Sequence, residues 1–168
     1  MLMSVESTAL PLKQSNDYRA ILWGGLTAGI LDITAAIINT NLRLGHNTLW
    51  VFQSIASALM GANAYKAGLL SAALGGAIHF FNAFAICTIY FIASRKLQVL
   101  VNRWVIFGVL YGIVAYFVMY GIVLRLTFHR NFLISVGAVS LGIGIHIVCV
   151  GLPISFWVHK FSKSTDLD

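Results

Sequence analysis

Charged side chains are scarce in this sequence. They make up only 10% of its 168 residues, as 11 Lys and Arg and 5 Asp and Glu, whereas soluble domains carry about 25%. Hydrophobic residues reach 59% before the 15 Gly are counted, which exceeds the roughly 45–50% of a soluble domain with Gly included. This composition excludes an ordinary soluble domain. A nucleic-acid partner is also not expected, because the residues behind the net charge of +6 are scattered over tails and short loops instead of forming a basic stripe.

Cysteine and proline are equally sparse, with two of each. Cys87 and Cys149 fall inside apolar runs, which argues against a structural disulfide and favours small buried roles. Pro153 follows Gly151 inside the last apolar run, where it predicts a kink or local unwinding. The motifs H-E-x-x-H, G-x-S-x-G, C-x-x-C and the phosphate loop are absent, so the sequence favours a protein that is not an enzyme without excluding one.

Four long apolar runs predict four membrane spans. A bilayer core needs about 20 residues of helix, and only helices or closed barrels satisfy every backbone group in lipid. Runs of this length fit helices, because barrel strands would alternate in hydrophobicity over about 10 residues. We therefore predict an all-α integral membrane protein, a four-helix transmembrane bundle forming one domain over residues 1–168, in which the first span serves as the insertion signal without a cleavable peptide. The predicted spans cover residues 20–42, 67–94, 104–124 and 131–158.

Basic residues near the spans predict the orientation of the chain. With the N-terminus in the cytoplasm, seven basic residues lie inside and four outside, which favours cytoplasmic N- and C-termini. The inner group is Lys13, Arg19, Arg95, Lys96, Arg103, Lys160 and Lys163, and the outer group is Arg43, Lys66, Arg125 and Arg130. Aromatic residues are expected at both interfaces: Tyr18, Trp23, Tyr90, Trp104 and Trp157 inside, and Trp50, Tyr65 and Tyr120 outside.

The connection between the first two spans is predicted to contain a short amphipathic helix over residues 47–61. Asn47 can cap the start of this helix, apolar residues follow at helical spacing, and Gly61 ends it. One interpretation is a helix lying in the outer interface. The other is a re-entrant lid that presents Gln53 and Ser57 to the bundle, which is possible only where protein or water covers it.

Small residues form a stripe along each span, and such stripes let transmembrane helices pack closely. Asp32, His79 and His146 lie on these stripes, which directs all three into the bundle. The stripes are Gly25, Ala28, Gly29, Asp32, Ala35, Ala36 and Asn39 in the first span; Gly68, Ala72, Gly75, His79 and Asn82 in the second; Gly108, Gly112 and Ala115 in the third; and Ser135, Ala138, Gly142, His146 and Cys149 in the fourth.

The same residues share one depth. At about 1.5 Å of rise per residue, Asp32 lies roughly 15 Å, His79 about 18 Å and His146 about 20 Å from the nearer ends of their runs. Tyr116, about 18 Å into the third span, reaches the same level. With Asn82, these residues form the predicted polar cluster. Asp32 is the only charged residue inside the spans as predicted, and a carboxylate in hydrocarbon is either protonated or paired.

Four interpretations of the predicted polar cluster stay open. It can be a hydrogen-bond cluster that only fixes packing, or a proton-linked site for transport or conformational coupling. Asp32, His79 and His146 can bind a metal ion, and His79 and His146 can bind haem axially. We expect no cofactor. The main hypothesis is proton-linked transport or conformational change. We expect it to take place in a homo-oligomer or larger membrane complex, because one copy of the chain leaves little room for a translocation path. The alternative is an accessory or scaffold subunit without chemistry.

Several segments resemble an uncharacterised family of small bacterial four-span inner-membrane proteins. The resemblance rests on GGLTAGILDITAA and on QSIASALMGANAYKAGLLSAALGGAIHFFNAFAICTIYFIASR, continues in GVLYGIVAYFVMYGIVLRL and HIVCVGLPI, and covers about four fifths of the chain. Its most recognisable pieces are the Gly-rich approach to Asp32, the segment beginning at Gln53, His79 in AIHFF, and His146 with the following Gly151 and Pro153. It implies four spans in a bacterial inner membrane and implies no activity.

Overall fold

A computed structural model of the chain describes residues 17–125 and 136–163, and every secondary-structure element within them is helical. Two of the spans end or continue in wider, π-helical turns. The elements are α1 (Asp17–Leu44), α2 (Thr48–Met60), a 3₁₀ segment (Gly61–Lys66), α3 (Gly68–Lys96), α4 (Gln98–Asn102), α5 (Trp104–Phe117), a first π segment (Val118–Val123), α6 (Val136–His146), a second π segment (Ile147–Gly151) and α7 (Leu152–Lys163).

Four helices are long and apolar enough to cross a membrane, as the sequence predicts. They cover Tyr18–Leu44, Gly68–Lys96, Trp104–Val123 and Val136–Ser162. The third span is α5 with the first π segment, and the fourth consists of α6, the second π segment and α7. Residues 131–135, with which the predicted fourth span begins, lie outside the described residues. The prediction of an all-α, four-helix bundle is confirmed, and its four apolar helices are those of an integral membrane protein.

The short helix α2 has the predicted ends. Its first turn is capped by Asn47, whose side-chain oxygen accepts a hydrogen bond from the Trp50 N–H at 2.9 Å. After its last residue the chain turns at Gly61, whose φ of 57° favours glycine. The helix packs across α3 so closely that the Phe52 carbonyl lies against Gly75, where no Cβ would fit. Gly75 lies seven residues after the first residue of α3. Helix α2 therefore contacts α3 about 10 Å from the start of α3, measured along the axis of α3.

Helix α1 contacts both α3 and the fourth span through glycines. The Phe84 ring lies over Gly25, and the Phe80 ring lies over Gly29, so a Cβ at either position would clash with an aromatic side chain. Gly24 faces two helices at once, because a Cβ there would lie 2.7 Å from the Cys87 sulfur and 3.7 Å from the Ile154 Cα. The small residues predicted on the first span therefore do mediate helix packing.

The third and fourth spans meet backbone to backbone. A Cβ on Gly112 would lie 2.5 Å from the Ile147 Cα and 2.8 Å from the His146 carbonyl oxygen. One to two turns away, Gly151 packs against the backbone of Gly108 and Gly112. Without side chains between them, these two helices approach as closely as transmembrane helices can.

The bundle is tied together most firmly at the end where α4 lies, here called the α4 end. The Tyr90 hydroxyl donates to the Leu100 carbonyl at 3.2 Å, and the His159 Nδ1–H donates to the Val101 carbonyl at 2.6 Å. Most of the buried core lies here. It includes Ala20, Cys87, Tyr90, Leu100, Val101, Ile154 and Val158.

Two further hydrogen bonds tie the spans to each other near this end. The Tyr111 hydroxyl donates to the Ile86 carbonyl at 2.7 Å and thereby links α5 to α3. The Trp157 indole N–H donates to the Thr27 hydroxyl at 3.1 Å and links α7 to α1. These four bonds each join two different helices, which fixes the relative positions of the helices.

Candidate functional site

Asp32 lies on the face of α1 that is directed at the third and fourth spans. Its side chain is partly buried, and its carboxylate is within electrostatic range of the Tyr120 hydroxyl and the Cys149 thiol. No hydrogen bond or ion pair joins Asp32 to another residue in the described parts of the chain. The fourth span is a direct neighbour of α1, since α1 packs against both α6 and the second π segment.

Two tyrosines and a histidine form an aromatic group beside this carboxylate. The rings of Tyr116 and Tyr120 are stacked with centroids 4.6 Å apart and an interplanar angle of 28°. The His146 ring presents its edge to both, at 5.4 Å from Tyr116 and 6.0 Å from Tyr120. Tyr116 is 3% exposed, whereas Tyr120 is 36% exposed. With Asp32 and Cys149, these three residues are called the Asp32 site below.

Glycine and π-helical geometry place the aromatic group. The Tyr116 ring lies directly on Gly142, where a Cβ would overlap it, and this allows the ring to reach His146 one turn further along. Tyr120 belongs to the first π segment, and Cys149 belongs to the second. The second π segment ends two residues before Pro153, which has no N–H for the helix ladder and crowds the carbonyl four residues earlier. The kink or unwinding predicted at Pro153 corresponds to this wider turn, and π turns occur frequently at functional sites.

His79 contacts α1 one turn away from Asp32. Its Nε2 lies 2.9 Å from the Gly29 carbonyl oxygen, three residues before Asp32 and thus about 4.5 Å from it along the helix axis. The ring also meets Phe80 edge to face at 5.4 Å. Asn82 is partly buried on α3, and within the described residues no hydrogen bond connects it to the rest of the predicted polar cluster.

The hydrogen bonds of both histidines define which nitrogen carries a proton. A carbonyl oxygen can only accept, so His79 donates from Nε2 to Gly29, and His146 donates from Nδ1 to Gly142 at 2.9 Å. In the neutral ring this leaves Nδ1 of His79 and Nε2 of His146 as acceptors. Both side chains therefore have a fixed orientation and one nitrogen that can accept a proton.

The structure gives the predicted metal ligands separate surroundings. Among residues 17–125 and 136–163, no three His, Cys, Asp or Glu side chains form a group that could hold a metal ion. His79 lies over Gly29 on the α3 side of α1, whereas His146 lies with the tyrosines of the third span. Of the predicted polar cluster, Tyr116 and His146 are in direct contact, and Asp32 is close to the group they form.

Gln53 and Ser57, the two residues predicted to belong to a lid, each donate a hydrogen bond to a nearby backbone carbonyl. The Gln53 side chain is 6% exposed and donates from Nε2 to the Gly68 carbonyl at 3.2 Å. The Ser57 hydroxyl donates to the Ser54 carbonyl at 2.6 Å, within α2 itself. The Gln53 bond holds α2 against the start of α3, whereas the Ser57 bond is internal to α2. Helix α2 contributes no titratable side chain to the neighbourhood of Asp32.

For two residues of the Asp32 site the sequence predicts a different role. It places Tyr120 in the outer aromatic belt and gives Cys149 the role of a small buried side chain. Spacing contained a usable signal, because Tyr116 and Tyr120 are four residues apart and His146 and Cys149 are three apart, so each pair shares one helix face.

Comparison with protein-family models, with curated proteins and with solved structures gives no match to this chain.

Proposed function

We propose that this membrane protein uses Asp32 as a proton-linked site, and that uptake or loss of a proton there drives conformational change or transport. The observation that supports this is the position of Asp32 on α1, the helix that packs against the fourth span along α6, the second π segment and α7. Asp32 is also the only acidic residue within the four spans. Intramembrane carboxylates are rare because they are costly, and they commonly belong to proton relays and ion pathways.

The physical link between protonation and conformation is electrostatic. A charge interacts far more strongly across a few ångströms of protein interior than in water. Removing the charge of Asp32 by protonation therefore changes the free energy of every arrangement that brings α1 close to the third and fourth spans. Arrangements that differ in this distance respond differently to pH, and a proton can shift the population from one to another.

The cellular setting forms part of the proposal. We place the protein in a bacterial inner membrane, as the resemblance to small four-span proteins implies, and with both termini in the cytoplasm, as the seven-to-four distribution of basic residues favours. It acts without a bound cofactor and as a homo-oligomer, because four helices leave little space for a translocation path within one copy.

Alkylation of Cys149 provides the test. With Cys87 replaced by Ser, the remaining thiol is that of Cys149, in the second π segment against which α1 packs. Its rate of reaction with a maleimide is measured over a range of pH in detergent. Comparison with the same protein carrying Asp32→Asn removes the pH dependence that belongs to the thiol itself. We expect an additional pH-dependent step in the rate that Asp32→Asn abolishes.

Two results separate this proposal from an accessory subunit without chemistry. The control Asn39→Ala, on the same face of α1, removes a polar side chain that does not titrate, and it should keep the additional step. Asp32→Asn should leave the unfolding free energy within about 1 kcal/mol of the parent, since isosteric changes away from packed contacts are mild. Identical pH profiles for parent and Asp32→Asn, with only a stability change, would refute the proton-linked site.

A further inference from the structure

We propose that the Asp32 site binds a lipophilic organic cation, whose charge is balanced by the Asp32 carboxylate and stabilised by the Tyr120 ring. This inference rests on the proposed function and names the ligand that would exchange with the proton. It is drawn from the charge balance around Asp32, from the accessible tyrosine ring and from the shortage of ligands for a metal ion.

The charge balance comes first. The titratable groups around this part of α1 are Tyr120 from the third span and Cys149 from the fourth, together with His79 from α3, which bonds to Gly29. Tyr116 and His146 lie behind them in ring contact with Tyr120, and α2 has no titratable side chain. None of these is a lysine or an arginine. On α1 itself, the nearest basic residue in sequence is Arg43, eleven residues away, which places it about 16 Å further along the helix.

The histidines do not supply a fixed counter-charge. Each has one N–H committed to a backbone carbonyl, at Gly29 for His79 and at Gly142 for His146. An ionised Asp32 therefore has no permanent cationic partner among the described residues. A partly buried carboxylate in this situation is neutralised by a proton, by a histidine that takes up a proton at its free nitrogen, or by a cation from outside the protein.

The tyrosine rings determine what sort of cation fits. The face of an aromatic ring attracts a cation that lies within about 6 Å of its centroid, and more strongly where water is excluded. Tyr116 is buried and stacked against Tyr120, so it holds the Tyr120 ring in place, whereas Tyr120 keeps 36% of its surface accessible. A ligand that reaches Tyr120 is at the same time within the range of the Asp32 charge.

A divalent metal ion fits this site less well. Ca²⁺ takes about 6–8 oxygen ligands and Mg²⁺ about 6 in octahedral geometry, and the part of the chain that the structure describes holds no group of three His, Cys, Asp or Glu side chains that could bind a metal. A delocalised organic charge needs no such ligand set. One carboxylate balances its charge, an aromatic ring attracts it, and the apolar walls of the spans accommodate its hydrocarbon groups.

The exchange balances in atoms and charge. The protonated Asp32 carboxyl releases one H⁺ to water, and the carboxylate that remains holds one organic cation. The net charge of the site is the same before and after, which avoids an uncompensated charge in the membrane. At pH values where the free site is protonated, affinity should rise about tenfold for each pH unit, because one proton leaves for each cation bound.

Binding of tetraphenylphosphonium to the purified full-length protein in detergent tests the inference. Calorimetry in two buffers of different ionisation enthalpy gives both the affinity and the number of protons released. At a pH where the free site is protonated we expect about one proton released per cation, and at every pH a loss of binding in Asp32→Asn. Tyr120→Phe keeps the ring and should bind like the parent, whereas Tyr120→Leu should weaken binding about 2- to 30-fold. Tyr65→Leu, at an exposed ring in the segment after α2, is the matched control and should change nothing.

The possible failures are distinguishable from each other. Binding that is independent of pH and of Asp32→Asn is partition of the cation into detergent, and it overturns the inference. Absence of binding, while Cys149 alkylation still shows its Asp32-dependent step, overturns the inference and leaves the proposed function standing. If Asp32→Asn does not give a monodisperse protein, the comparison of Tyr120→Leu with Tyr120→Phe tests the inference instead. Equal affinity of these two variants for the cation overturns the inference.

Discussion

Replacement of Gly112 by Ala should push the third and fourth spans apart. The new Cβ would lie 2.5 Å from the Ile147 Cα, 2.8 Å from the Ile147 nitrogen and 2.8 Å from the His146 carbonyl oxygen. Ordinary van der Waals contact begins at 3.4 Å, so the two backbones must separate by as much as about 0.9 Å for packing density to be kept. All three obstructing atoms belong to backbone, so no side-chain rotation relieves the clash.

The magnitude follows from two opposing terms. Overpacking of this kind costs about 1–3 kcal/mol, and Ala in place of Gly within a helix returns about 0.5–1 kcal/mol. We therefore expect Gly112→Ala to lower the free energy of unfolding by about 1 kcal/mol, and by at most about 2.5 kcal/mol. Gly144→Ala in α6 is the control, because its Cβ would meet no atom within 4 Å, and it should be neutral or stabilising.

The free energy of unfolding of both variants is measured by reversible unfolding in mixed micelles. The fraction of sodium dodecyl sulfate is increased, and unfolding is followed by tryptophan fluorescence. Gly112→Ala should unfold at a lower detergent fraction than the parent and Gly144→Ala at the same or a higher one. The reasoning is refuted if Gly112→Ala is as stable as Gly144→Ala, since the backbones of the third and fourth spans would then not be in the contact described here.

Two further predictions concern single contacts. Thr27→Val leaves the indole N–H of Trp157 without its acceptor and should lower the free energy of unfolding by about 1–3 kcal/mol in the same assay. The control Thr34→Val removes a bond only to its own helix and should change that free energy by less than about 0.5 kcal/mol. Equal effects of the two substitutions would contradict the role of the Thr27 bond. Gly61→Ala places a side chain at φ 57° and should lower the free energy of unfolding by about 1–2 kcal/mol. Gly137→Ala is the control, because Gly137 has an ordinary helical φ and open space around it. A neutral Gly61→Ala would show that the turn after α2 relaxes freely.

The parts of the fold that the sequence predicts are those that depend on local chemistry. Span positions follow from the length of apolar runs, and the ends of α2 follow from the capping ability of Asn47 and the positive φ of Gly61. The small-residue stripes also anticipate close packing at Gly25, Gly75 and Gly112. In lipid these signals are strong, because every backbone group must be satisfied within its own helix.

Contacts between helices are harder to predict, because one sequence does not state which helices are neighbours. The stripes direct Asp32 and His79 inward, yet they do not tell that His79 bonds to Gly29 or that Tyr120 stacks on Tyr116. The π segments escape prediction for the same reason. A wider turn is decided by tertiary contacts such as those around Gly112 together with local breakers such as Pro153, and intrinsic helix propensity does not reveal it.

The contacts of α1 hold this helix as far as Gly29 and make the turns beyond it a lever. Thr27 accepts a hydrogen bond from the Trp157 indole, and the Gly29 carbonyl accepts one from His79, which places the pivot of a tilt near Gly29. With a rise of about 1.5 Å per residue, a tilt of about 5° at this pivot moves Leu44 by about 2 Å and Asp32 by only about 0.4 Å. A tilt at the end of α1 is thus amplified toward α2 and leaves the carboxylate nearly in place.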